Sequence, residues 1–262
     1  MKIEFHKYQG TGNDFILIDN RTKCFKKDAR VIRHLCDRNF GIGSDGIIFL
    51  EHSPEADFGM DFYNPDGTPA GMCGNGGRCI AGYAFSLGII EKNTVFMAGD
   101  GLHEALILGR DKGMFTIRLK MKDPEIIRRE KDFMVVDSGV PHYLLFQENI
   151  ESSDLIAIAR KIRYSPEYKK HGINIDLIEK QKHSIFVRSY ERGIEGETLS
   201  CGTGVTASAI GAAPAYAFKS PIRVQTKGGI LHVHYHHETS GFYNVWLEGN
   251  ASEVFSGVIS YE

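Results

Sequence analysis

Alternating apolar and polar positions run through most of the chain and predict an architecture rich in β-strands. Segments with this period of two, which suits a strand that buries one face, occupy 3–8, 14–19, 46–51, 58–63, 132–137, 142–147, 172–178 and 183–190. Helical signals are fewer. Asp28 can cap a helix that runs to about Asn39. Ser153 can cap another that runs to about Tyr164.

The same plan occurs twice along the chain. A Cys-Gly-x-Gly motif begins at Cys73 and again at Cys201, 128 positions later (201 minus 73), which is close to half of the 262 residues. Each motif follows an alternating segment that ends in an aromatic residue and a polar turn. Each also opens a stretch of small residues that further strands follow. This order of features indicates two copies of one domain.

The repeat predicts an α+β fold with two pseudo-symmetric mixed-sheet domains, each packed around the helix that its Cys-Gly-x-Gly motif opens. The charged stretch at 121–132 marks the expected boundary, which gives an N-terminal domain over 1–121 and a C-terminal domain over 122–254. Pro214 lies inside the second small-residue stretch. Since proline disrupts a helix interior, we expect that helix to end or kink near Ala212.

Composition and charge exclude several classes of protein. The chain is 42% hydrophobic and 24% charged, as is usual for globular proteins. Its 31 Lys and Arg against 33 Asp and Glu give a net charge of −2, which argues against a nucleic-acid partner. The N-terminal residues lack the apolar region of an export signal, and the longest uncharged run, 200–218, is too rich in small residues for a membrane span. We therefore expect a cytoplasmic protein without a membrane partner.

Neither a metal nor an organic cofactor is expected from the motifs. The five cysteines are irregularly spaced and form no C-x-x-C pair, so a structural zinc site and a thiol redox centre are both disfavoured. The segment 41–46 matches the letters of a dinucleotide fingerprint, G-x-G-x-x-G. It follows a predicted helix and precedes a predicted strand, which reverses the order that dinucleotide binding requires.

Cys73 and Cys201 are the candidate catalytic groups, although a lone free cysteine is more often a buried small hydrophobe. A thiol that immediately precedes a helix lies near unpaired N–H groups and the positive end of the helix dipole, a setting that favours the thiolate. The flanking glycines let the same N–H groups approach an anion. A thiolate and a thiol on opposite faces of a carbon can invert its configuration, because one removes the α-proton while the other delivers a proton.

Five segments, in this order, resemble the motif set of the diaminopimelate epimerase family: FHKYQGTGNDF (5–15), RNFGIGSDG (38–46), NPDGTPAGMCGNGGRC (64–79), SGVPH (138–142) and YERGIEGETLSCGTG (190–204). The resemblance implies a pyridoxal-phosphate-independent amino-acid epimerase that interconverts LL- and meso-diaminopimelate in lysine and peptidoglycan-precursor biosynthesis. It also implies a two-cysteine, two-base mechanism, return of the tail at about 255–262 to the N-terminal domain, and a homodimer.

Position by position, the resemblance implies catalytic roles for Cys73 and Cys201 and pKa-modulating roles for His142 and Glu191. The residues that it implies for substrate binding are Asn13, Asn64, Gly74, Asn75, Asn174, Glu191, Arg192, Gly202 and Thr203.

The chain departs from the family pattern at three places, and two rival interpretations stay open. Val140 stands where an Asn is usual, Gly46 where some members have Gln, and one extra residue lies near Glu195. A proline or hydroxyproline racemase would also use two thiols, and a catalytically silent ligand-binding protein could keep the fold. The E-R-G and N-x-D-G segments favour the diaminopimelate interpretation.

Overall fold

The computed structural model describes residues 2–260 and divides the chain into two compact units. Unit 1 comprises Met1–Leu119 together with Gly249–Glu262, and unit 2 comprises Lys120–Glu248. These boundaries lie two and six residues before those expected at 121 and 254. The charged stretch belongs to unit 2, where part of it forms a strand that pairs with the next one along the chain.

Unit 1 contains most of the first copy of the repeat. Its elements are β1 (Lys2–Gly10), β2 (Asn13–Asp19), α1 (Ala29–Cys36), β3 (Ile47–Glu51), β4 (Phe58–Tyr63), β5 (Pro69–Ala70), α2 (Gly74–Ser86), β6 (Asn93–Ala98), β7 (Gly101–Asp111) and β8 (Met114–Lys120).

Unit 2 contains the second copy, and its last strand continues into unit 1. Its elements are β9 (Glu125–Arg129), β10 (Phe133–Asp137), β11 (Pro141–Phe146), a 3-10 turn (Ile150–Ser152), α3 (Leu155–Arg163), β12 (Asn174–Lys180), β13 (Ile185–Glu191), β14 (Gly196–Thr198), α4 (Gly202–Tyr216), β15 (Ile222–Thr226), β16 (Gly229–Glu238) and β17 (Gly241–Ser260).

The two units pair their strands in the same order. In unit 1 the order is β1-β2-β3-β4-β6-β7-β8, parallel at β2–β3 and β4–β6 and antiparallel elsewhere. β17 pairs with both β8 and β1, so the sheet of unit 1 closes like a barrel. In unit 2 the order is β10-β11-β12-β13-β15-β16-β17, parallel at β11–β12 and β13–β15. The predicted α+β fold with a duplicated mixed sheet is confirmed.

The helices α2 and α4 form the centre of their units, as the repeat predicts. Both are built mostly from Gly, Ala and other small residues, and most of their residues are buried, as expected for a helix without a polar face. Small residues let the strands approach closely: a Cβ on Gly211 would lie 2.6 Å from Leu144 Cδ1. No helix within residues 2–260 is long and apolar enough to cross a membrane.

The helix α1 begins where the sequence predicts and ends earlier. Asp28 caps it by accepting a hydrogen bond from the backbone N–H of Arg30 at 2.8 Å. The helix ends at Cys36 because the carboxylate of Asp37 accepts from the backbone N–H groups of residues 39 and 40, both at 2.8 Å. This local bond replaces the helical pattern, so the predicted end near Asn39 is wrong.

The cap of α3 is one residue later than predicted. Asp154 accepts a hydrogen bond from the backbone N–H of Ala157 at 3.0 Å, so the prediction of Ser153 is wrong. The Ser153 hydroxyl instead donates to the carbonyl of Asn149 at 3.4 Å. The end of α3 next to Tyr164 is confirmed.

The helix α4 does not end near Ala212, since it continues to Tyr216 with Pro214 inside it, and that half of the prediction is wrong. The alternative, a kink near Ala212, stays a prediction. Proline removes one N–H donor and crowds the carbonyl four residues earlier. Here the disruption falls in the last turn, and the chain leaves the helix at Ala217, whose φ is +54°.

Candidate active site

In unit 1 the structure brings Cys73 together with two of the predicted substrate-binding residues. Cys73 is the cap of α2, with φ −111° and ψ 126°, and is partly exposed. Its Sγ lies 3.7 Å from Oδ1 of Asn13 at the start of β2. Nδ2 of Asn75, from the first turn of α2, donates to the same Oδ1 at 3.4 Å. The thiol therefore lies among neutral amide groups at the N-terminus of a buried helix.

A network of ion pairs that the sequence did not predict holds Asn13. Its Nδ2 donates to Asp45 Oδ2 at 2.7 Å. Arg38 pairs with Asp45 and Asp14, both at 2.7 Å, and Lys7 pairs with Asp14 at 2.6 Å. Burial raises the pKa of Asp14, but hydrogen bonds from Arg38 and Lys7 outweigh this and lower it to about 2. The positive charges of the two cations and the negative charges of the two carboxylates next to Asn13 therefore cancel.

Asn64 and Gly74 have separate positions in unit 1. Asn64 follows β4, and its side chain donates to the Thr68 hydroxyl at 3.1 Å. Its hydrogen bonds within residues 2–260 stay inside this turn and do not reach Cys73. Gly74 is the first residue of α2, and its carbonyl accepts from Arg78 at 3.2 Å.

The departure at Gly46 has a packing reason. A Cβ at this position would lie 2.5 Å from Phe62 Cε2 and 2.8 Å from the carbonyl of Tyr63. These distances are too short for any side chain, so a Gln does not fit here while Phe62 keeps its position.

In unit 2 Cys201 is the cap of α4, with φ −112° and ψ 118°, almost the dihedrals of Cys73. Unlike Cys73 it is buried, with 7% exposure. Its Sγ lies 3.4 Å from the hydroxyl of Thr203. Burial raises the pKa of Cys201 well above its usual value, and the carboxyls of Glu191 and Asp176 raise it further. At Cys201 these effects outweigh the preference for a thiolate that a helix N-terminus provides.

Glu191 lies beside Cys201 at the end of β13. The Thr198 hydroxyl donates to its Oε1 at 2.5 Å. Burial raises the pKa of Glu191, while hydrogen bonds with Thr198 and Cys201 and the nearby His142 lower it by less. Glu191 thus retains a proton to higher pH than an exposed glutamate.

His142 is the centre of a buried chain of polar groups that leads to Cys201. Its Nδ1 lies 2.6 Å from Asp176 Oδ2, and both side chains are fully buried. Its Nε2 lies 3.0 Å from the hydroxyl of Thr203, which contacts Cys201. Ser189 donates to the second carboxylate oxygen of Asp176 at 2.5 Å. Sequence reasoning missed Asp176, although two polar residues in the apolar segment NIDLI were a usable signal.

Asn174 connects this chain to Arg192. It lies opposite His142 in the parallel register of β11 and β12, and its Nδ2 is 3.3 Å from His142 Nε2. Its Oδ1 accepts from the backbone N–H of Arg192 at 2.9 Å. The Arg192 guanidinium donates to the carbonyl of His171 at 2.9 Å. Gly202 begins α4, and its carbonyl accepts from the Thr206 hydroxyl.

The extra residue near Glu195 is accommodated in an anchored turn. Glu195 has φ +54°, and its carboxylate accepts hydrogen bonds from Arg163, Tyr164 and Tyr190, each at 2.9 Å. The insertion therefore ties the turn after β13 to the end of α3.

Val140 lies in the turn between β10 and β11, where its carbonyl accepts a hydrogen bond from the Ser138 N–H at 3.3 Å.

Among residues 2–260 the five cysteines are free, and no group of three His, Cys, Asp or Glu side chains is placed to hold a metal ion.

A family model described as diaminopimelate epimerase matches residues 5–107 and 134–253, most of both units. This chain belongs to the diaminopimelate epimerase family. It is accordingly an enzyme of the isomerase class. The matched ranges contain every predicted site residue of the family, including both cysteines.

Relatives from three organisms align with this chain over nearly their whole length, and each is named diaminopimelate epimerase. That of Flavobacterium psychrophilum is 44% identical and covers 98% of this chain and 100% of its own. That of Chlorobaculum tepidum is 37% identical, covering 96% and 99%, and that of Archaeoglobus fulgidus is 35% identical, covering 99% and 97%.

Solved structures share the diaminopimelate epimerase fold at low sequence identity. A phenazine biosynthesis protein of the PhzF family from Bacillus anthracis superposes with a TM-score of 0.75 at 14% identity, covering 100% of both chains. A hydroxyproline epimerase from Agrobacterium vitis gives a TM-score of 0.70 at 13% identity, covering 98% of this chain and 92% of its own. At this identity the likeness concerns the fold alone.

Proposed function

We propose that this enzyme interconverts LL- and meso-diaminopimelate with Cys73 and Cys201 as its two acid–base groups. The observation that carries the proposal is the repeated thiol: in both units a cysteine caps a buried small-residue helix with nearly the same backbone dihedrals. Family membership supplies the substrate, since the relatives are named for it.

The reaction needs one thiolate and one thiol. The thiolate takes the α-proton and becomes a thiol, and the electron pair of the broken C–H bond remains on the substrate as a carbanion. The second thiol then gives its proton to the opposite face and becomes a thiolate. Configuration is inverted, nothing is oxidised, and the proton count is conserved, so no cofactor enters the balance. Reversal exchanges the two roles.

The chain of Asp176, His142 and Thr203 supports proton exchange at Cys201. A hydroxyl at 3.4 Å from the sulfur and 3.0 Å from the imidazole can pass a proton between them. The carboxylate at 2.6 Å from Nδ1 holds the orientation of the ring. We thus assign pKa modulation to His142 and Glu191, with Asp176 as a positioning residue.

Substrate recognition follows from the chemistry of an amino acid with two zwitterionic ends. The N–H groups that begin α2 and α4, at Gly74-Asn75 and Gly202-Thr203, are suited to a carboxylate. Arg192 is suited to the distal carboxylate. Amide side chains are suited to the ammonium group, and we assign this role to Asn13, Asn64 and Asn174, with Glu191 beside them.

We also propose that the enzyme is a cytoplasmic homodimer with two functional domains, 1–121 with the tail at 255–262, and 122–254. Light scattering on the purified protein measures the mass directly, and 29.3 kDa per chain makes a dimer easy to distinguish from a monomer.

Proton NMR of LL-diaminopimelate with reduced enzyme in D2O tests the function. The α-proton signal should disappear while meso product forms, with no cofactor added. Cys73→Ala and Cys201→Ala should each lose turnover, whereas Cys24→Ala, far from either motif in sequence, should retain it. Proline as substrate should show no exchange. Normal turnover in either catalytic variant would refute the two-thiol mechanism.

A further inference from the structure

Arg78 is a fully buried cation close behind Cys73. It lies in α2, and its side chain has no exposed surface. Its Nη1 donates to the carbonyl of Gly74 at 3.2 Å. Its Nη2 donates to Asn75 Oδ1 at 2.8 Å and to the Thr11 hydroxyl at 3.1 Å. Its Nε has no hydrogen-bond partner within residues 2–260. All of its acceptors are therefore uncharged.

A buried arginine with neutral partners requires an explanation. The guanidinium does not deprotonate in proteins, and an isolated buried charge destabilises a fold. Burial lowers the pKa of Arg78, and negative charge on Cys79 or Cys73 acts in the opposite direction. These two thiols are thus the neighbours that could supply the missing anion.

Of the two thiols, Cys73 is the more accessible to solvent. Cys79 is fully buried, and burial raises its pKa, so its thiol stays neutral. Cys73 is partly exposed and immediately precedes Gly74, whose carbonyl Arg78 holds. The charged groups behind Asn13, which are Lys7, Asp14, Arg38 and Asp45, pair with one another. Arg78 is therefore the uncompensated charge beside Cys73.

Unit 2 has the opposite arrangement around Cys201. The position equivalent to Arg78 is Thr206, whose hydroxyl donates to the Gly202 carbonyl at 2.9 Å just as Arg78 donates to that of Gly74. No cation takes the place of Arg78 there. Burial and the carboxyls of Glu191 and Asp176 instead keep a proton on Cys201.

We propose that Arg78 is a positioning residue whose buried charge stabilises the Cys73 thiolate, so that in the resting enzyme Cys73 is the base and Cys201 holds the proton. This inference rests on the proposed two-cysteine function and specifies its starting state. The isomer whose α-proton faces Cys73 then reacts with this resting state: Cys73 takes that proton, and Cys201 gives its own proton to the opposite face. The other isomer reacts with the state in which Cys73 holds the proton and Cys201 is the thiolate.

The test is the pH dependence of alkylation by iodoacetamide, followed at Cys73 by peptide mass spectrometry on enzyme without substrate. Free thiols titrate near pH 8.5, and a neighbouring charge shifts a pKa by about one to three units. We expect a midpoint at least one unit below 8.5 for Cys73. Arg78→Thr, which copies the residue of unit 2, should raise the midpoint by about one unit or more. Arg78→Lys should restore most of the shift.

Cys79→Ala is the matched control, because it changes a buried neighbour of Arg78 without removing the charge, and its Cys73 midpoint should equal that of the wild type. A folded Arg78→Thr protein with an unchanged midpoint overturns the proposal, even if KM for diaminopimelate rises. If Arg78→Thr does not fold, the Cys73 midpoints of the wild type and of Arg78→Lys test the proposal instead. A wild-type midpoint at or above about pH 8.5 would also overturn it. A low midpoint in an enzyme without epimerase activity would refute the proposed function and leave the assignment of the thiolate intact.

Discussion

Two cysteines in the same local structure have different chemical surroundings, and single residues cause the difference. Both cap a helix with nearly the same dihedrals. Cys73 is partly exposed and has Arg78 behind it, whereas Cys201 is buried beside Asp176 and Glu191. A helix N-terminus favours a thiolate modestly. At Cys201 desolvation and two carboxyls outweigh this effect, and the pKa of the thiol rises.

Asp176→Asn should lower kcat by about 10²-fold or more, a loss typical of an impaired acid–base group. The amide keeps the shape of the carboxylate but removes the charge that orients and stabilises His142 at 2.6 Å. Steady-state kinetics measures the rate. Proton NMR should show a downfield imidazole N–H in the wild type and its loss in the variant.

Ser189→Ala is the control for Asp176→Asn. It removes only the hydrogen bond to the second carboxylate oxygen, at 2.5 Å, and leaves the charge in place. Its effect on kcat should be several-fold smaller. Equal losses in the two variants would contradict the role given to the charge.

At the scale of elements, helix ends depend on which side chain reaches a free N–H group. Asp154 rather than Ser153 caps α3, and Asp37 ends α1 by binding two N–H groups. Neighbouring polar residues compete for one cap, and a shift of one residue changes which oxygen faces the helix. The sequence pattern therefore predicts the position of these helices well, but it predicts their first and last residues less accurately.

Asp154→Ala should lower the free energy of unfolding by about 1 kcal/mol, the usual contribution of a helix cap. Its carboxylate accepts from Ala157 N–H at 3.0 Å. Ser153→Ala should change stability by less than about 0.5 kcal/mol, because its hydroxyl does not cap the helix. Urea unfolding of both variants provides the comparison, and the reverse order would restore Ser153 as the cap.

Gly204→Ala should displace the start of α4. The added Cβ would lie 2.7 Å from Asp176 Oδ1, 3.1 Å from Ser189 Oγ and 3.2 Å from His142 Cε1. Overpacking of this kind costs about 1–3 kcal/mol, and we expect kcat to fall at least tenfold because Thr203 moves with the helix. Gly109→Ala, where a Cβ meets nothing within 4 Å, is the control and should change neither quantity appreciably.

On the scale of the whole molecule, burial keeps several acidic groups protonated. Burial raises the pKa of the Cys79 and Cys201 thiols and of many tyrosines, with Tyr168 and Tyr190 at about 12. In the unfolded chain these groups ionise at their ordinary values. The unfolded state therefore holds fewer protons than the fold once the pH exceeds about 8.5, and stability must decline with rising pH.

We expect the free energy of unfolding to fall by about 2 kcal/mol between pH 8.5 and 10 for each thiol that the fold keeps protonated. The stabilisation is fully present below the unfolded thiol pKa and is lost as the pH rises toward the folded value. Urea titrations across this range measure it. In Cys79→Ala the free energy of unfolding should decline less steeply with pH, by about the contribution of one thiol. An unchanged slope would contradict burial of an ionisable group at this position.

The sequence by itself determined the elements and their duplication. Each of the eight alternating runs is a strand within two residues of its predicted ends, and each Cys-Gly-x-Gly motif opens a buried helix. These features are local: periodicity, caps and small-residue stretches act over a few neighbouring positions. Motif order was also sufficient to identify the family, because both cysteines and their flanking glycines stand at matching places.

Only the tertiary structure decided the electrostatic environment of the two thiols. It placed Asp176 against His142, left Arg78 buried among neutral acceptors, and raised the pKa of Cys201 where the local motif favoured a thiolate. Burial and Coulomb interactions depend on residues brought together from distant parts of the chain, and they reverse a local preference when the surroundings lose water. Two Cys-Gly-x-Gly motifs with nearly the same backbone dihedrals can therefore place their thiols in different electrostatic surroundings.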